Sequence, residues 1–154
     1  MRILLAVALL LILNCPIFAA DEPETFGAMG MSWNQYAAPQ ISGNLLYAKR
    51  IDDGLYSFNF VDVISKSMQP FSTATSVTTG IGKRVGHLYG APIYLTTGVG
   101  VLAGERNTGY SWQSGGTIAL GLGKGWELLP NVRVIKSSLT DFQFIVGIMI
   151  GLGK

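Results

Sequence analysis

The stretch FQFIVGIMIGLG, residues Phe142 to Gly153, decides the fold class because it alternates strictly between two kinds of side chain. Side chains on a β-strand point alternately to its two faces, so one face of this segment is large and apolar. That face carries Phe142, Phe144, Val146, Ile148, Ile150 and Leu152. The opposite face is smaller and carries one polar group; its residues are Gln143, Ile145, Gly147, Met149, Gly151 and Gly153. A water-soluble sheet exposes polar residues, whereas this pattern indicates an apolar exterior around a narrow interior.

The amino terminus, residues 1–20, has the features of a secretory signal peptide. Arg2 provides a basic start, an apolar run extends from Ile3 to Leu13, and the small pair Ala19-Ala20 provides a cleavage site. The run is too short for a membrane-spanning helix, which needs roughly 20 residues. We therefore expect export and a flexible lead-in over residues 21–26. The only cysteine, Cys15, lies inside the signal, and a lipoprotein would instead be cleaved just before it.

Composition narrows the class of protein further. Charged residues make up 13% of the chain, against about 25% in an average soluble domain. The formal net charge of +2 gives no basis for nucleic-acid binding. Hydrophobic residues reach 49%, yet no apolar run after residue 20 approaches the length of a spanning helix. These properties exclude a helical membrane protein and favour a membrane β-barrel over a soluble sandwich.

Turn signals divide the rest of the chain into eight strand candidates. They cover residues 27–36, 41–51, 55–65, 71–84, 93–103, 110–123, 126–137 and 142–153. About nine to eleven residues suffice to cross a bilayer at a tilt. The sequence therefore predicts an all-β fold, an eight-stranded antiparallel up-and-down transmembrane β-barrel over residues 27–154. An even number of strands places both termini on one side, normally the periplasmic one.

The lumen of such a barrel is just wide enough for side chains, so the small-residue faces are assigned to it. Three arginines fall on these faces, and together with two amides they form the predicted polar network of the lumen. Its members are Arg50, Arg84, Arg133, Asn131 and Gln143. Asp62 and Glu127 are candidate carboxylate partners, but the predicted strand phases place both on the outer face. We interpret the network as a plug; a gated polar path is the alternative.

Aromatic residues cluster toward the strand ends, which favours the membrane–water interface over packing inside a soluble barrel. The predicted interfacial set is Trp33, Tyr47, Tyr56, Tyr94, Trp112 and Trp126.

No catalytic, metal or cofactor site is predicted. The single histidine, His87, lies in a turn where no serine nucleophile can be placed beside it. One histidine, with no cysteine after residue 20, cannot form a zinc-type ligand set. We expect neither a cofactor nor enzymatic activity.

With a signal, eight alternating strands and short turns, residues 27–153 resemble the small outer-membrane β-barrel proteins, the OmpA-like and OmpX-like group. Such proteins usually end in an aromatic residue, whereas this chain ends Gly-Leu-Gly-Lys. The resemblance implies a structural or interaction role in the bacterial outer membrane, with membrane lipid as partner and any protein partner unknown.

Two alternatives remain open. One is a soluble secreted lipocalin-like barrel that binds a small apolar ligand, which requires a polar exterior. The other is an outer-membrane lipid-modifying enzyme, which requires His87 to contact a serine and a carboxylate.

Overall fold

The computed structural model describes residues 23–34, 40–65, 73–104, 107–138 and 142–153. The signal peptide expected at residues 1–20 lies outside this part of the chain. The described residues form nine strands and contain no helix long and apolar enough to cross a membrane. The strands are β1 (Thr25–Asn34), β2 (Gln40–Asp52), β3 (Leu55–Ser65), β4 (Thr73–Leu88), β5 (Ala91–Ala103), β6 (Thr108–Ile118), β7 (Leu120–Gly123), β8 (Trp126–Ser137) and β9 (Gln143–Gly153).

All strand pairings are antiparallel, and they close the sheet on itself. The strand order is β6-β5-β4-β3-β2-β1-β9-β8-β7, and β6 also pairs with β8. Because β6 and β7 both pair with β8, they occupy one position in the wall, interrupted at Ala119. Nine strands with two sharing a position make eight positions around the barrel. The prediction of an eight-stranded antiparallel up-and-down barrel is therefore confirmed.

Several predicted boundaries were wrong, and β4 and β5 also extend closer to their hairpin turn than predicted, to Leu88 and from Ala91. Strand β1 begins at Thr25, so part of the expected lead-in belongs to the barrel wall, and the Phe26 side chain is buried inside it. The predicted strand over residues 110–123 divides into β6 and β7. There the Ala119 amide leaves the β8 ladder and donates to the Pro92 carbonyl oxygen at 3.0 Å.

Short turns and both ends of the described barrel lie at the same end, which we call the turn end. The hairpins there turn at Asp53-Gly54, Tyr89-Gly90 and Lys124-Gly125. Tyr89 and Gly90 both have positive φ, at 50° and 86°, as a two-residue type I′ hairpin turn requires. Phe26 in β1 pairs with Gly153 in β9, so the first and last strands meet at this end.

The outer surface has the apolar face that the closing strand predicts. Phe142 is 57% exposed, whereas Ile145 on the opposite face is 1% exposed. Large apolar side chains are exposed on every other full-length strand too, among them Met29 and Val99. The described residues therefore form a barrel with an apolar exterior.

Strand β3 faces the opposite way from its predicted phase. Its aromatic side chains at positions 56, 58 and 60 are buried inside the barrel, while Asn59 is exposed outside. Inward glycines on the neighbouring strand leave room for these rings: Phe58 pairs with Gly80, and a Cβ at Gly80 would lie 2.8 Å from the Phe58 ring. Phe26 fills space in the same way, since a Cβ at Gly151 would overlap its ring.

Candidate functional site

An ion pair between opposite walls crosses the middle of the lumen. Arg133 comes from β8 and Asp62 from β3, with three strands between them on either side of the barrel. The guanidinium donates to both carboxylate oxygens, from Nη1 to Oδ2 and from Nη2 to Oδ1, each at 2.9 Å. The two side chains are only 4% and 1% exposed. This bidentate geometry is the strongest form of an arginine–carboxylate contact.

Neighbouring side chains support both charges. Asn44 Nδ2 donates to Asp62 Oδ1 and lies 3.2 Å from Ser32 Oγ, to which it also donates. Arg133 Nη1 lies 3.4 Å from Gln113 Oε1. The guanidinium carbon sits 4.0 Å from the centre of the Phe60 ring, in cation–π contact. Because buried charges are costly unless paired and hydrogen-bonded, these contacts hold the pair in place across the lumen.

Asp62 is one of the two carboxylates that the sequence offered as partners for the lumen arginines, but its predicted position differs from the observed one. Asp62 was predicted on the outer face because the phase of β3 was inverted, and this assignment was wrong. The signal that identifies the correct phase is the register of β3 against β4, where Asp62 and Phe58 face small inward residues, Ser76 and Gly80.

The five predicted network residues do not converge. Arg133 and Asn131 lie side by side in β8 in the lumen, where Asn131 Nδ2 donates to the Leu129 carbonyl oxygen at 3.3 Å. Gln143 is half-buried at the far end of the barrel from the turns. The prediction of one joint network was therefore wrong, because alternation gives the face of a residue but not its height along the barrel.

The other two predicted arginines lie at the turn end. Arg84 Nη2 is 3.1 Å from Asp53 Oδ1 in the first hairpin. Arg50 Nη2 is 3.9 Å from Glu24 Oε1, and the Arg50 amide donates to the Glu24 carbonyl oxygen. These arginines therefore contact residues around the mouth of the barrel and do not reach the central ion pair.

A cavity of about 90 Å³ lies between the central ion pair and the turn end. Its surface is almost wholly apolar. The larger apolar side chains around it are Phe26, Leu46, Tyr56, Phe58, Phe60, Tyr94, Leu129 and Met149. Glu127 also lines the cavity and is 7% exposed, so its predicted outward placement was wrong. It shares the inward face of β8 with Asn131 and Arg133, and it pairs with Gly151 in β9.

The predicted interfacial aromatics divide into two groups. Trp33, Tyr47, Trp112 and Trp126 are exposed on the outer surface. Tyr56 and Tyr94 instead line the lumen, with their rings edge to face at 5.6 Å between centroids. The Tyr56 hydroxyl donates to the Pro23 carbonyl oxygen at 3.2 Å. The interfacial assignment of these two tyrosines was wrong, because their pairing with Gly82 and Thr117 leaves space for a ring inside the barrel.

The two side-chain groupings considered from sequence, a histidine-based triad and a metal cluster, are not found among the described residues. His87 is exposed next to the second hairpin turn, and within the described part of the chain no hydrogen bond joins it to a serine or a carboxylate. No three histidine, cysteine or acidic side chains among these residues converge to hold a metal ion.

Comparison with known proteins places this architecture among the membrane barrels. No family model and no curated protein matches the sequence. Neisserial surface protein A superposes with a TM-score of 0.67 at 9% identity, covering 84% of this chain and 96% of that one.

Two further solved structures match over a similar length. The N-terminal β-barrel domain of Pseudomonas aeruginosa OprF has a TM-score of 0.65 at 9% identity, covering 87% of this chain and 100% of that one. The Yersinia pestis outer membrane protein Ail has a TM-score of 0.56 at 13% identity, covering 85% and 100%. At identities this low, the superpositions show the fold alone. The chain has the fold of the small eight-stranded outer-membrane β-barrels.

Proposed function

We propose that this chain is a bacterial outer-membrane protein with a closed lumen and a structural or interaction role, without catalysis. Its outer face supports the location. Met29 and Val99 are 66% and 62% exposed, and hydrocarbon is the solvent in which such a face is stable. A lipocalin-like soluble barrel needs a polar exterior, which these side chains do not provide. Exposed tryptophans, Trp33 and Trp112 toward one end and Trp126 at the other, suit the two lipid–water interfaces.

The bidentate Arg133–Asp62 pair is the observation that carries the closed lumen. It joins opposite walls at a point where Phe60 and Gln113 fill the space beside it. Eight strands enclose only enough room for side chains, so little cross-section is left for a continuous water path. Moving the pair aside would separate two buried charges, which makes spontaneous opening unfavourable.

Cell fractionation and electrophysiology test this proposal together. The protein should fractionate with the outer membrane, and its gel mobility should differ between unheated and boiled samples. In planar lipid bilayers it should give no steady conductance, while a sixteen-stranded porin gives large steps under the same conditions. Recovery in the soluble periplasm without heat-dependent mobility would contradict the membrane location. Reproducible unitary conductance steps would contradict the closed lumen.

A further inference from the structure

Glu127 presents a carboxylate to the apolar cavity without a counter-charge. Within the described part of the chain, no side-chain hydrogen bond or ion pair joins the Glu127 carboxylate to another residue, although the residue is only 7% exposed. Arg133, the cation that lines the same cavity, is already paired with Asp62, and Arg84 at the mouth of the barrel is paired with Asp53. A buried carboxylate in apolar surroundings is costly unless a cation or hydrogen-bond donors face it.

We propose that the cavity binds a small apolar amine in its protonated form. The ammonium group would donate hydrogen bonds to Glu127, and the carbon chain would pack against Phe26, Phe58 and Met149, which line the same cavity. Such a ligand supplies the two things that the site lacks, a positive charge for the carboxylate and apolar atoms for the empty space. This inference goes beyond the structural role proposed above and does not depend on it.

The surroundings of Glu127 discriminate among ligand classes. An anion is repelled by the carboxylate, and a neutral hydrocarbon leaves it without a partner. A divalent metal ion prefers several oxygen ligands, and no three acidic or histidine side chains converge among the described residues. The tyrosine pair Tyr56–Tyr94 adds aromatic surface to the lining, and ring faces attract organic cations. A monovalent organic cation therefore fits best.

The volume limits the size of the ligand. A dry cavity on the order of 150 Å³ accommodates benzene, so the space of about 90 Å³ fits a chain of about four carbon atoms. Pro23 lines the cavity at the turn end, and the cavity is partly open to the outside. A short linear amine suits this shape better than a branched or polycyclic one.

Calorimetric titration of the full-length mature protein, folded in phosphatidylcholine nanodiscs, tests the proposal. Three probes of equal chain length are compared: n-butylammonium, n-butanol and butyrate, each also titrated into empty nanodiscs. Butylammonium should bind saturably, butanol at least tenfold more weakly, and butyrate not measurably. Absence of saturable butylammonium binding, or equal binding of the three probes, overturns the proposal.

Two carboxylate variants locate the site. Glu127→Gln keeps the shape of the side chain and should weaken butylammonium binding at least tenfold while leaving butanol binding unchanged. Glu24→Gln removes a charge at the same end of the barrel, from a side chain that is 84% exposed, and should leave butylammonium affinity unchanged. Equal affinity of the wild type and Glu127→Gln contradicts the assignment. Should Glu127→Gln fail to fold, the probe series on the wild type decides alone.

Discussion

Arg133 and Asp62 depend on each other because each is buried where water cannot replace the partner. Removing one partner of a buried pair typically costs about 3–5 kcal/mol, whereas replacing both with apolar residues often costs little. The lumen around the pair is already rich in rings and small side chains, including Phe60 at 4.0 Å from the guanidinium. Arg133 and Asp62 therefore contribute to the stability of the barrel through their pairing, and neither charge is stabilising alone.

We expect Asp62→Leu to lower the free energy of unfolding by about 3–5 kcal/mol, because it leaves the Arg133 guanidinium without its counter-charge. The double variant Asp62→Leu/Arg133→Met should lose clearly less than the two single variants added together. Urea titration in phosphatidylcholine vesicles, followed by tryptophan fluorescence, measures both. Glu24→Gln, at an exposed pair, should change stability by about 0–1 kcal/mol. Additive losses in the double variant would show that the two side chains do not interact.

Inward glycines provide a second test at single residues. A Cβ at Gly151 would overlap the Phe26 ring, so Gly151→Ala should destabilise the barrel by about 1–3 kcal/mol. A Cβ at Gly43 on the outer face meets nothing within 4 Å, and Gly43→Ala should be neutral or slightly stabilising. The same urea titration compares them. Rescue of Gly151→Ala by Phe26→Leu would identify the ring as the cause, and equal effects of the two alanines would refute the packing argument.

At the scale of the strand, alternation identifies two faces but does not say which one points inward. The closing strand β9 could be assigned from sequence because one of its faces carries only large apolar side chains, whereas half of the positions on the other face are glycine, which suits a narrow lumen. Strand β3 gives no such signal, since one face carries Tyr56 and Phe58 and the other Ser57 and Asn59. The inward glycines of β4, the next strand, indicate the phase of β3, but only once the register between the two strands is known.

Substitutions on adjacent positions of β3 test its phase. Phe58→Ala should lower the free energy of unfolding by about 3–5 kcal/mol, because the ring fills the lumen. Asn59→Leu should leave stability unchanged or raise it, because the side chain is exposed on the outer face, where lipid favours an apolar side chain. Unfolding in phosphatidylcholine vesicles measures both variants. The reverse ranking would mean that the aromatic face of β3 points to lipid.

For the whole molecule, the strand count and up-and-down topology were predictable because each barrel strand ends at a local turn signal. The lumen contacts were not, since they depend on which residues come level across the barrel. Arg50 and Arg84 were predicted on the lumen side, yet they contact Glu24 and Asp53 at the mouth. The break between β6 and β7 at Ala119 could not be predicted from the sequence either, because it depends on a hydrogen bond to Pro92 in another strand.

The closed topology also predicts how the barrel is oriented in the membrane. Strand β5 runs from the turn end at Ala91 to the opposite end at Ala103, and β9 returns to the turn end at Gly153. Short turns and chain ends are typical of the periplasmic side of outer-membrane barrels. An epitope inserted after Gly104 should therefore bind antibody on intact cells. An epitope appended after Lys154 should bind only after the outer membrane is permeabilised.

Heat-dependent gel mobility of each tagged protein serves as the control that the barrel has folded. The reversed labelling pattern would contradict the orientation but keep the barrel. Labelling of both epitopes on intact cells would show that the two ends of the barrel are not separated by a membrane. The experiment thus tests the orientation independently of the lumen, because neither tag touches the Arg133–Asp62 pair or the cavity beside Glu127.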